Sequence, residues 1–433
     1  MRRLLLAMAV SVAVASGGGY TKHAGLNCYA GHGAVNIDDG NFTTKPLAQC
    51  ERFCDVTPGC FCVVSDSETN GCWRRSTCVP DQCSRGGSAY DTYIKPGAPP
   101  LPPPPPPHRK PYPDRTPLGP PCAPADCPNI IFSITDDQDY LLGGWENHGP
   151  TNPMQQTQQL LAAAGATLTQ WRIHTPICSP SRSELVSGRY YHNIKSRLPV
   201  PVTDKILYAG SGHVNASHYT NQTFGVHLRQ RGYQVGLFGK ANFNTYEGFD
   251  RWFQGMTLSY GANRWEDDES PGGVYIQDPK EYPTALIGNK TVEWIGRPSI
   301  SGAAVGRPFF AYFASHCPHF PATPAHWYAD ACVGTTAVRT PNYNHTNDGF
   351  HALIAQQPPL TAADATLTDQ LTRQRCQCLL SVDDAHAAIL RAAAAAERGS
   401  GRKTYIIFTS DHGYNLGGHR LTSEKMAPYE HTL

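Results

Sequence analysis

Beyond residue 127, short apolar runs alternate with longer stretches that repeat with helical periodicity. The apolar runs are rich in β-branched and aromatic residues, which is typical of buried strands, and they span 129–135, 233–238, 308–314 and 404–409. The helical stretches span 153–164, 223–231 and 361–398. This alternation predicts an α/β domain with a large, mostly parallel sheet flanked by helices. In such sheets, ligands bind at the carboxyl ends of the strands.

Local signals set the predicted ends of these helices. Thr361 followed by Asp364 resembles a capping box, which starts the longest helix. Gly399 and Gly401 break the same pattern after residue 398, and Gly232 separates a helix from the strand that follows it. The sequence therefore predicts a long helix that leads directly into the last strand.

A cysteine-dense segment at residues 24–95 precedes this domain and contains eight of the fifteen cysteines. A chain this short is typically stabilised by disulfides in place of a large core. The pattern of Cys50, Cys54, Cys60, Cys62 and Cys72 resembles an apple/PAN module, a family that binds protein or carbohydrate. The alternative interpretation is a disulfide-stapled spacer.

Two further segments are recognised by composition. Residues 96–121 are dominated by proline, with six in a row at 102–107, which favours an extended polyproline II linker. Residues 1–16 carry Arg2 and Arg3 before a short apolar run, which predicts a signal peptide. The run is too short for a membrane span, and no later segment is apolar enough to be one.

Other features fit an oxidising, secretory compartment, either extracellular or lysosome-like. N-x-[ST] acceptor sites for glycosylation occur at Asn41, Asn215, Asn221, Asn289 and Asn344. The cysteine count is odd, so at least one thiol lacks an intramolecular partner, although parity alone does not identify it. A net charge of +1, with 16% charged residues, argues against nucleic acid or an anionic membrane as partner.

Polar residues follow the predicted strands where each of them ends. These segments are Asp136-Asp137-Gln138, Gly239-Lys240, His316-Cys317-Pro318-His319 and Ser410-Asp411-His412-Gly413. Any one of the acids has a simple structural alternative, because Asp136 or Asp411 is also suited to capping a following helix. Four such segments on one sheet edge instead favour an active site.

The acids in these segments suggest a hard divalent cation. Asp136, Asp137 and Asp411 supply the oxygen ligands that Ca²⁺ or Mg²⁺ prefers. His412 is a less expected neighbour for such an ion, and zinc is the alternative. No H-x-x-x-H or H-E-x-x-H spacing supports zinc.

A cysteine stands at the start of a further predicted helix, in Cys178-Ser179-Pro180-Ser181-Arg182. A helix N-terminus favours an anionic group, so the residues alone allow a reactive thiolate or a buried structural cysteine. C-x-P-S-R followed by Gly188-Arg189 resembles the signature of the type I, formylglycine-dependent sulfatases. The strand-end segments, Lys425 and Tyr429-Glu430 occur in the same order as in that family.

The resemblance covers roughly residues 127–433, within a catalytic domain that we expect at 122–433. It is strongest to the glucosamine-6-sulfatase and iduronate-sulfatase branches, and Leu379 to Asp384 resembles a helix of the N-acetylglucosamine-6-sulfatase-like members. It implies an alkaline-phosphatase-like α/β domain that hydrolyses sulfate esters of a sulfated sugar or polysaccharide. It also implies a formylglycine-generating enzyme as maturation partner, which converts Cys178 into an aldehyde. The family's smaller C-terminal subdomain is not represented, so we expect a C-terminally truncated domain.

The family pattern also implies residue roles. Asp136, Asp137, Asp411 and His412, with the modified Cys178, are expected to hold Ca²⁺. Lys240 and Lys425 are expected to offset charge on the sulfuryl group. Arg182 is expected to hold the aldehyde hydrate, and His319 to protonate the leaving sugar oxygen. Asn242 stands where many members have a histidine, and the alternative is that it only shapes the loop.

Two other functions remain open from the sequence. One is a secreted carbohydrate-binding or matrix protein whose sulfatase-like domain is inactive. The other is a phosphodiesterase of the same superfamily, although such enzymes typically use Ser or Thr as nucleophile. Residues 260–278 either form part of a substrate wall or a solvated insertion. Trp252 and Trp265 either stack on sugar rings or, as we expect, pack in the core.

Overall fold

The computed structural model describes residues 14–15, 19–30, 33–36, 43–57, 60–67, 70–80, 83–85, 90–96, 118–123, 126–142, 149–194, 219–243, 246–255, 260–261, 263–302, 304–425 and 429. The chain forms two compact units, Met1–Pro107 and His108–Leu433. The predicted signal peptide lies outside the described residues apart from Val14–Ala15, and so does the linker between residues 97 and 117. Both remain predictions.

The N-terminal unit consists of short strands around one helix. The strands are β1 (Val14–Ala15), β2 (Thr21–Ala24), β3 (Leu26–Asn27), β4 (Tyr29–Ala30), β5 (Gly33–Asn36), β6 (Thr43–Thr44), β7 (Cys62–Asp66), β8 (Gly71–Cys78), β9 (Ser84–Arg85) and β10 (Tyr90–Ile94). Helix α1 (Leu47–Asp55) packs against β7 and β8. The main sheet has the order β1-β2-β10-β7-β8-β5-β4, β6 pairs with β8, and β3 pairs with β9.

Four disulfides stabilise this unit, as the cysteine density predicts. They are Cys28–Cys83, Cys50–Cys72, Cys54–Cys60 and Cys62–Cys78. The cysteines themselves form much of the core, together with Tyr20, Val63 and Tyr93. A small hydrophobic core is therefore supplemented by covalent links that restrict the unfolded chain. The resemblance to an apple/PAN module remains a prediction.

The second unit contains all of the remaining described elements. Its strands are β11 (Asn129–Thr135), β12 (Gln234–Gly239), β13 (Arg251–Gln254), β14 (Arg264–Asp267), β15 (Val274–Ile276), β16 (Phe309–Ala314) and β17 (Thr404–Ser410). Its helices are α2 (Gln155–Leu160), α3 (Cys178–Ser187), α4 (Tyr191–Ile194), α5 (Phe224–Gln230), α6 (Pro283–Ile295), α7 (Pro298–Ser301), α8 (Ala352–Ala355) and α9 (Ala362–Ser400). No helix in the described ranges is both long and apolar enough to cross a bilayer.

The seven strands form one sheet in the order β15-β14-β13-β12-β16-β11-β17. The five strands β13, β12, β16, β11 and β17 pair in parallel, and β14 and β15 add an antiparallel edge. Strand β16 is central and all six of its residues are buried, because helices cover both faces. Phe309 and Phe313 pack on one side with α6 and α9, while Phe310 and Tyr312 pack on the other with α5. The predicted mostly parallel sheet is confirmed.

The predicted helices differ from the observed ones at their ends. The expected helix at 153–164 is shorter, because α2 stops at Leu160 and a 3₁₀ turn, Ala162–Ala164, follows. The capping box at Thr361 is confirmed, with Asp364 returning the hydrogen bond. The predicted break at residue 399 is wrong, since α9 continues through Gly399 to Ser400. It ends at Gly401, whose φ of 68° is the left-handed conformation that glycine adopts readily.

Asp383 explains why α2 begins where it does. Its carboxylate, on α9, accepts hydrogen bonds from the backbone N–H groups of Gln156 (2.9 Å) and Thr157 (2.7 Å). The next residue, Asp384, accepts one from Gln156 Nε2 at 3.0 Å. A carboxylate at a helix N-terminus satisfies donors that lack an intrahelical partner. The capping group lies more than two hundred positions away in the sequence, so local signals do not reveal it.

The antiparallel edge bears on two interpretations that the sequence left open, namely those of the segment 260–278 and of the two tryptophans. Residues 264–276 form β14 and β15, so this part of the acidic segment extends the sheet. Trp265 is only 1% exposed, stacks on Phe253 and donates a hydrogen bond to Gln277. Trp252 is 5% exposed and stacks on Tyr246. Both tryptophans pack in the interior, as expected, and are not available to sugar rings.

Strand β17 forms the other edge of the sheet within the described residues. Tyr405 and Ile407 are 65% and 46% exposed, although both are large and apolar. A cavity of about 930 Å³ runs beside this strand and is lined by Leu141, Trp171 and Phe408 among others. This edge of the sheet is therefore only partly covered.

Three of the five predicted glycosylation acceptors lie in the described residues. Asn221 and Asn289 are exposed, whereas Asn344 is half-buried and accepts a hydrogen bond from the Leu360 N–H. Asn41 and Asn215 lie outside the described residues. Modification at these sites remains a prediction.

His386 on α9 gives the domain a specific acid sensitivity. It is fully buried, its Nδ1 lies 3.1 Å from Thr157 Oγ1, and burial lowers its pKa to about 3. The unfolded chain binds this proton at about pH 6.5, so stability is present above that pH and is lost as pH falls. We expect His386→Gln to remove about 2 kcal/mol of the stability difference between pH 7 and pH 5.

Chemical denaturation at the two pH values measures this difference. His227→Gln, an exposed site on α5, is the matched control and should leave the difference unchanged. Equal pH dependence in wild type and His386→Gln would show that another group carries the acid sensitivity.

Candidate functional site

The carboxyl ends of the parallel strands bring the predicted site residues together. Asp136 and Asp137 follow β11, Lys240 follows β12, His319 follows β16, and Asp411 and His412 follow β17. They surround Cys178, the first residue of α3. The remaining predicted residues, Arg182 on α3 and Lys425 after β17, lie in the same cluster. Every residue that the sequence predicted for the site therefore lies in this one cluster.

The side chains after Cys178 anchor its helix to the neighbouring strand ends. Ser179 Oγ donates to the Asn242 carbonyl at 2.9 Å, and Ser181 Oγ donates to the Asp411 carbonyl at 2.6 Å. Arg182 Nε donates to the Asp411 carboxylate at 2.9 Å, and its Nη1 donates to the Lys240 carbonyl at 2.7 Å. These contacts of the residues that follow it therefore fix the position of residue 178.

Cys178 lies among charged groups and is the one free cysteine of the fifteen, all of which fall within described ranges. Its Sγ donates to Asp136 Oδ1 at 3.2 Å. The ammonium groups of Lys240 and Lys425 lie 3.4 Å and 3.6 Å from the same sulfur. The side chain is buried, with 8% exposure. A structural cysteine in an apolar core has no such surroundings.

A glycine allows the lysine to reach this position. Gly239 has a φ of 101°, and a Cβ there would lie 2.0 Å from the Ala314 carbonyl oxygen. Side chains are therefore excluded where β12 approaches β16 most closely. The Lys240 N–H bonds to the same carbonyl at 2.8 Å, and its side chain ion-pairs with Asp136.

Four side chains present possible metal-ligating atoms that all lie within 4.8 Å of one another. They belong to Asp136, Asp137, Cys178 and His412, and all are buried. Asp137 Oδ2 has no hydrogen-bond partner among the described residues, which fits an acceptor directed at a cation. Asp411 lies outside this group. Its oxygens instead bond to Arg182 and, at 3.1 Å, to the Asp137 N–H.

The electrostatics keep the acids ionised. Burial alone would raise the pKa of Asp136, but the charges of Lys240, His319 and Arg182 outweigh it and hold the pKa well below the usual range. The pKa of Asp137 is lowered in the same way, with burial opposed by His319 and Lys425. Both carboxylates are therefore charged and available to a cation.

The cationic side chains remain charged for the complementary reason. Burial lowers the pKa of Lys425, but Asp137 at 2.7 Å and Cys178 more than offset this, so the pKa is raised. Lys240 behaves likewise because Asp136 and Cys178 face it. Burial is also outweighed at His412, where Asp411 and Cys178 raise the pKa to about 9. The site therefore balances three acids against several fixed positive charges.

His319 lies at the open side of the site. Its side chain is 14% exposed, and Nε2 lies 4.0 Å from Asp137 Oδ2. Nδ1 donates to the Phe320 carbonyl at 2.6 Å, which fixes the ring orientation. The Tyr260 hydroxyl donates to the His319 carbonyl at 2.7 Å. An imidazole held this way can deliver a proton to a group entering from solvent.

Two further polar residues complete the surroundings. Asn242 is 7% exposed, has a φ of 57°, and its Oδ1 makes no hydrogen bond within the described part of the chain. Either role for Asn242, at the substrate or in the loop, is compatible with this position. Arg375 on α9 also reaches the site loops, and sequence reasoning missed it. Its signal is its spacing of four residues from both Leu371 and Leu379, which is the i, i+4 spacing of a buried helix face.

The second unit has an alkaline-phosphatase-like α/β fold. The family description "Sulfatase" matches residues 128–432. The chain belongs to the sulfatase family.

Individual relatives agree with this assignment. The chain is 28% identical over 329 residues to human N-acetylglucosamine-6-sulfatase, covering 70% of this chain and 54% of that protein. It is 30% identical over 311 residues to the extracellular sulfatase SULF-1 homolog of Drosophila melanogaster, covering 70% and 26%. The chain thus spans about half, or less, of the length of these curated relatives.

A solved structure shares the fold. It is a protein in complex with its substrate D-glucosamine-2-N,6-O-disulfate, with a TM-score of 0.53 and 18% identity. The match covers 70% of this chain and 69% of that one.

Proposed function

We propose that this protein hydrolyses sulfate esters on a sulfated sugar or polysaccharide, with residue 178 as the nucleophile. The observation that supports this most strongly is the setting of Cys178, at a helix N-terminus with two lysine ammonium groups within 3.6 Å of its sulfur. Carboxylates that can hold a cation lie beside the same sulfur. This combination suits a nucleophile that attacks the sulfur atom of an anionic sulfate ester.

In the active protein, residue 178 is proposed to be formylglycine, so the sulfur stands in for the oxygens of the aldehyde hydrate. One hydroxyl of the hydrate loses its proton to solvent, and its oxygen attacks the sulfur of the sulfate ester. The bond from that sulfur to the sugar oxygen breaks, and His319 gives a proton to the departing sugar oxygen. The second hydroxyl then loses its proton, the bond from carbon to the sulfated oxygen breaks, sulfate leaves, and the aldehyde returns. Serine or cysteine has no second hydroxyl and lacks this route.

The site suits Ca²⁺. Asp136 and Asp137 offer hard oxygen ligands, as would the hydrate oxygen at position 178. His412 completes the close group through a nitrogen that would lose its proton when the ion binds. Asp411 is a candidate ligand that needs one oxygen freed from its present bonds. When bound, the ion would polarise the sulfate oxygens and lower the hydroxyl pKa. Lys240 and Lys425 are placed to bind the remaining sulfate oxygens.

The names of the relatives support a particular class of glycan. Their names include N-acetylglucosamine-6-sulfatase, and the solved structure holds a 6-O-sulfated glucosamine. We therefore propose a 6-O-sulfated glucosamine unit as the substrate. A formylglycine-generating enzyme is the proposed maturation partner, and an extracellular or lysosome-like compartment is the proposed location, since a relative is named extracellular.

Sulfate release from defined glycans tests this function. Protein secreted from cells with the aldehyde-generating machinery is incubated with 6-O-, 3-O- and 2-N-sulfated glucosamine glycans and with a phosphodiester. Preferential loss of 6-O-sulfate is the expected result. Binding to the glycans without sulfate release would instead favour the inactive matrix protein, and cleavage of the phosphodiester alone would favour the superfamily alternative.

His319 should matter in proportion to how poor the leaving group is. We expect His319→Gln to lower kcat on a sugar sulfate about 100-fold, because an alkoxide needs protonation as it departs. On an aryl sulfate with an acidic phenol, the loss should be less than about fivefold. Equal losses on both substrates would contradict a role as general acid. The control is His326→Gln, which replaces an exposed histidine a little further along the same chain.

A further inference from the structure

Arg375 occupies an unusual position for an arginine. It lies within α9, is 0% exposed, and points its guanidinium at loops that follow the strands. Fully buried arginines are rare, because an ionised group leaves water at a large free-energy penalty unless its environment is arranged for it. The contacts of Arg375 therefore indicate what its burial is for.

The guanidinium joins two loops of the site by hydrogen bonds. Nη2 donates to the Asp137 carbonyl at 2.6 Å and to the Asp139 carboxylate at 3.0 Å. Nη1 donates to the Pro318 carbonyl at 3.3 Å. One loop supplies the candidate metal ligands, and the other supplies His319. Arg375 thus bridges the two loops by donating to the backbone carbonyl of Asp137 in one loop and to that of Pro318, the residue before His319, in the other.

A third loop meets the same group. The guanidinium carbon lies 4.8 Å from the ring centre of Tyr414, which follows the Asp411-His412-Gly413 segment. Asp139 in turn accepts hydrogen bonds from the N–H groups of Leu141 (3.0 Å) and Leu142 (3.1 Å), so it holds the first loop in a turn. Three of the four strand-end segments therefore converge on Arg375.

Covalent chemistry reinforces the same junction. Cys378, three residues further along α9, forms a disulfide with Cys317. The Cys317 carbonyl accepts a hydrogen bond from the Asp136 N–H at 3.3 Å. This region of α9 is thus attached to the His319 loop both by a disulfide and by Arg375.

We infer that Arg375 is a positioning residue that sets the placement of Asp137 and His319 relative to each other. The inference rests on the proposed sulfate ester hydrolysis for its effect on turnover. Its effect on cation binding depends only on the ligand group. The planar fork reaches both loops at once, which a single ammonium does not. Groups that orient ligands in this way typically affect metal affinity or activity 10–100-fold.

Arg402 provides a matched control. It too is buried, at 2% exposure, and donates to backbone carbonyls, namely those of Cys122 (2.8 Å), Ala123 (3.2 Å) and Cys127. These contacts lie before β11 and β17, at the opposite ends of the strands from the site. Replacing either arginine by lysine keeps the charge and removes the fork.

The experiment compares Arg375→Lys and Arg402→Lys in the full chain. Three quantities are measured: the thermal midpoint, the Ca²⁺ concentration for half-saturation by calorimetry, and kcat and KM per mole of formylglycine. For Arg375→Lys we expect kcat to fall about 30-fold with KM within about threefold, and half-saturation to need about tenfold more Ca²⁺. For Arg402→Lys we expect a lower thermal midpoint with kcat and Ca²⁺ binding unchanged.

Two results would overturn the inference. One is unchanged kcat and Ca²⁺ binding in Arg375→Lys. The other is a loss in both variants that follows only the folded fraction. If the wild type binds Ca²⁺ but releases no sulfate, the proposed function fails, and the Ca²⁺ measurement alone decides for or against Arg375. If the wild type binds no Ca²⁺, the inference fails as well.

Discussion

Replacing Cys178 by Ser should lower kcat for sulfate ester hydrolysis by at least about 10⁴-fold while leaving the fold intact. Serine is close to cysteine in size, and the side chain it replaces is buried beside Lys240, Lys425 and Asp136. A hydroxyl in this position still accepts hydrogen bonds from both lysines. What it lacks is the second oxygen of an aldehyde hydrate, so a sulfated intermediate would have no internal route to release sulfate.

The control for this prediction is the unchanged sequence produced without aldehyde-generating machinery. It carries the native thiol and differs from the active protein only in the side chain of residue 178. We expect it to be as inactive as Cys178→Ser. Mass spectrometry of the peptide containing residue 178 then relates activity to formylglycine content across preparations. Full turnover by protein that retains the thiol would contradict the proposed nucleophile.

Asp137→Asn should be the next most damaging change, with kcat lower by about 10³-fold and Ca²⁺ half-saturation raised at least about 100-fold. The carboxylate is fully buried, and its Oδ2 is the acceptor without a hydrogen-bond partner among the described residues. The amide keeps the shape but removes the charge that a cation requires. It also leaves the Lys425 ammonium, now 2.7 Å from Oδ1, without its main counterion.

Asp267→Asn is the matched control for this change. Asp267 is also buried, at 1% exposure, and ion-pairs with Arg251 at 2.7 Å in the antiparallel edge of the sheet. Both variants lose a buried carboxylate beside a cation, so both should be less stable than wild type. Only Asp137→Asn should lose Ca²⁺ binding, as followed by calorimetry. Similar Ca²⁺ affinities in the two variants would exclude Asp137 as a ligand.

Much of the fold could be predicted from the sequence, because the strongest signals in the sequence are local. The strand beginning at Asn129 has the predicted bounds, since its apolar run ends directly at Asp136. The capping box at Thr361 is likewise a pattern of neighbouring residues. The strand-end residues of the site could be predicted because strand ends in a parallel sheet converge. The roles of Cys178, Arg182 and Lys425 came from the resemblance to the sulfatase family.

What the sequence did not reveal depends on contacts between distant parts of the chain. The start of α2 is set by Asp383, and two site loops are joined by Arg375, both from α9. Arg375 has only the signal of its spacing from Leu371 and Leu379, and Asp383 has no local pattern that distinguishes it from a solvated charge on a helix. The disulfide pairings are similar, since spacing alone does not indicate that Cys317 bonds to Cys378.

The partly covered edge at β17 has a practical consequence for anyone producing this polypeptide. Tyr405 and Ile407 leave apolar side chains exposed on an edge strand of the sheet that the described residues form, and an edge strand can pair with an identical strand from another molecule. Concentrated preparations are therefore prone to self-association that has nothing to do with catalysis. A lysine at position 407 would disfavour such pairing without touching the cation site, which makes it a sensible background for kinetic and crystallisation work.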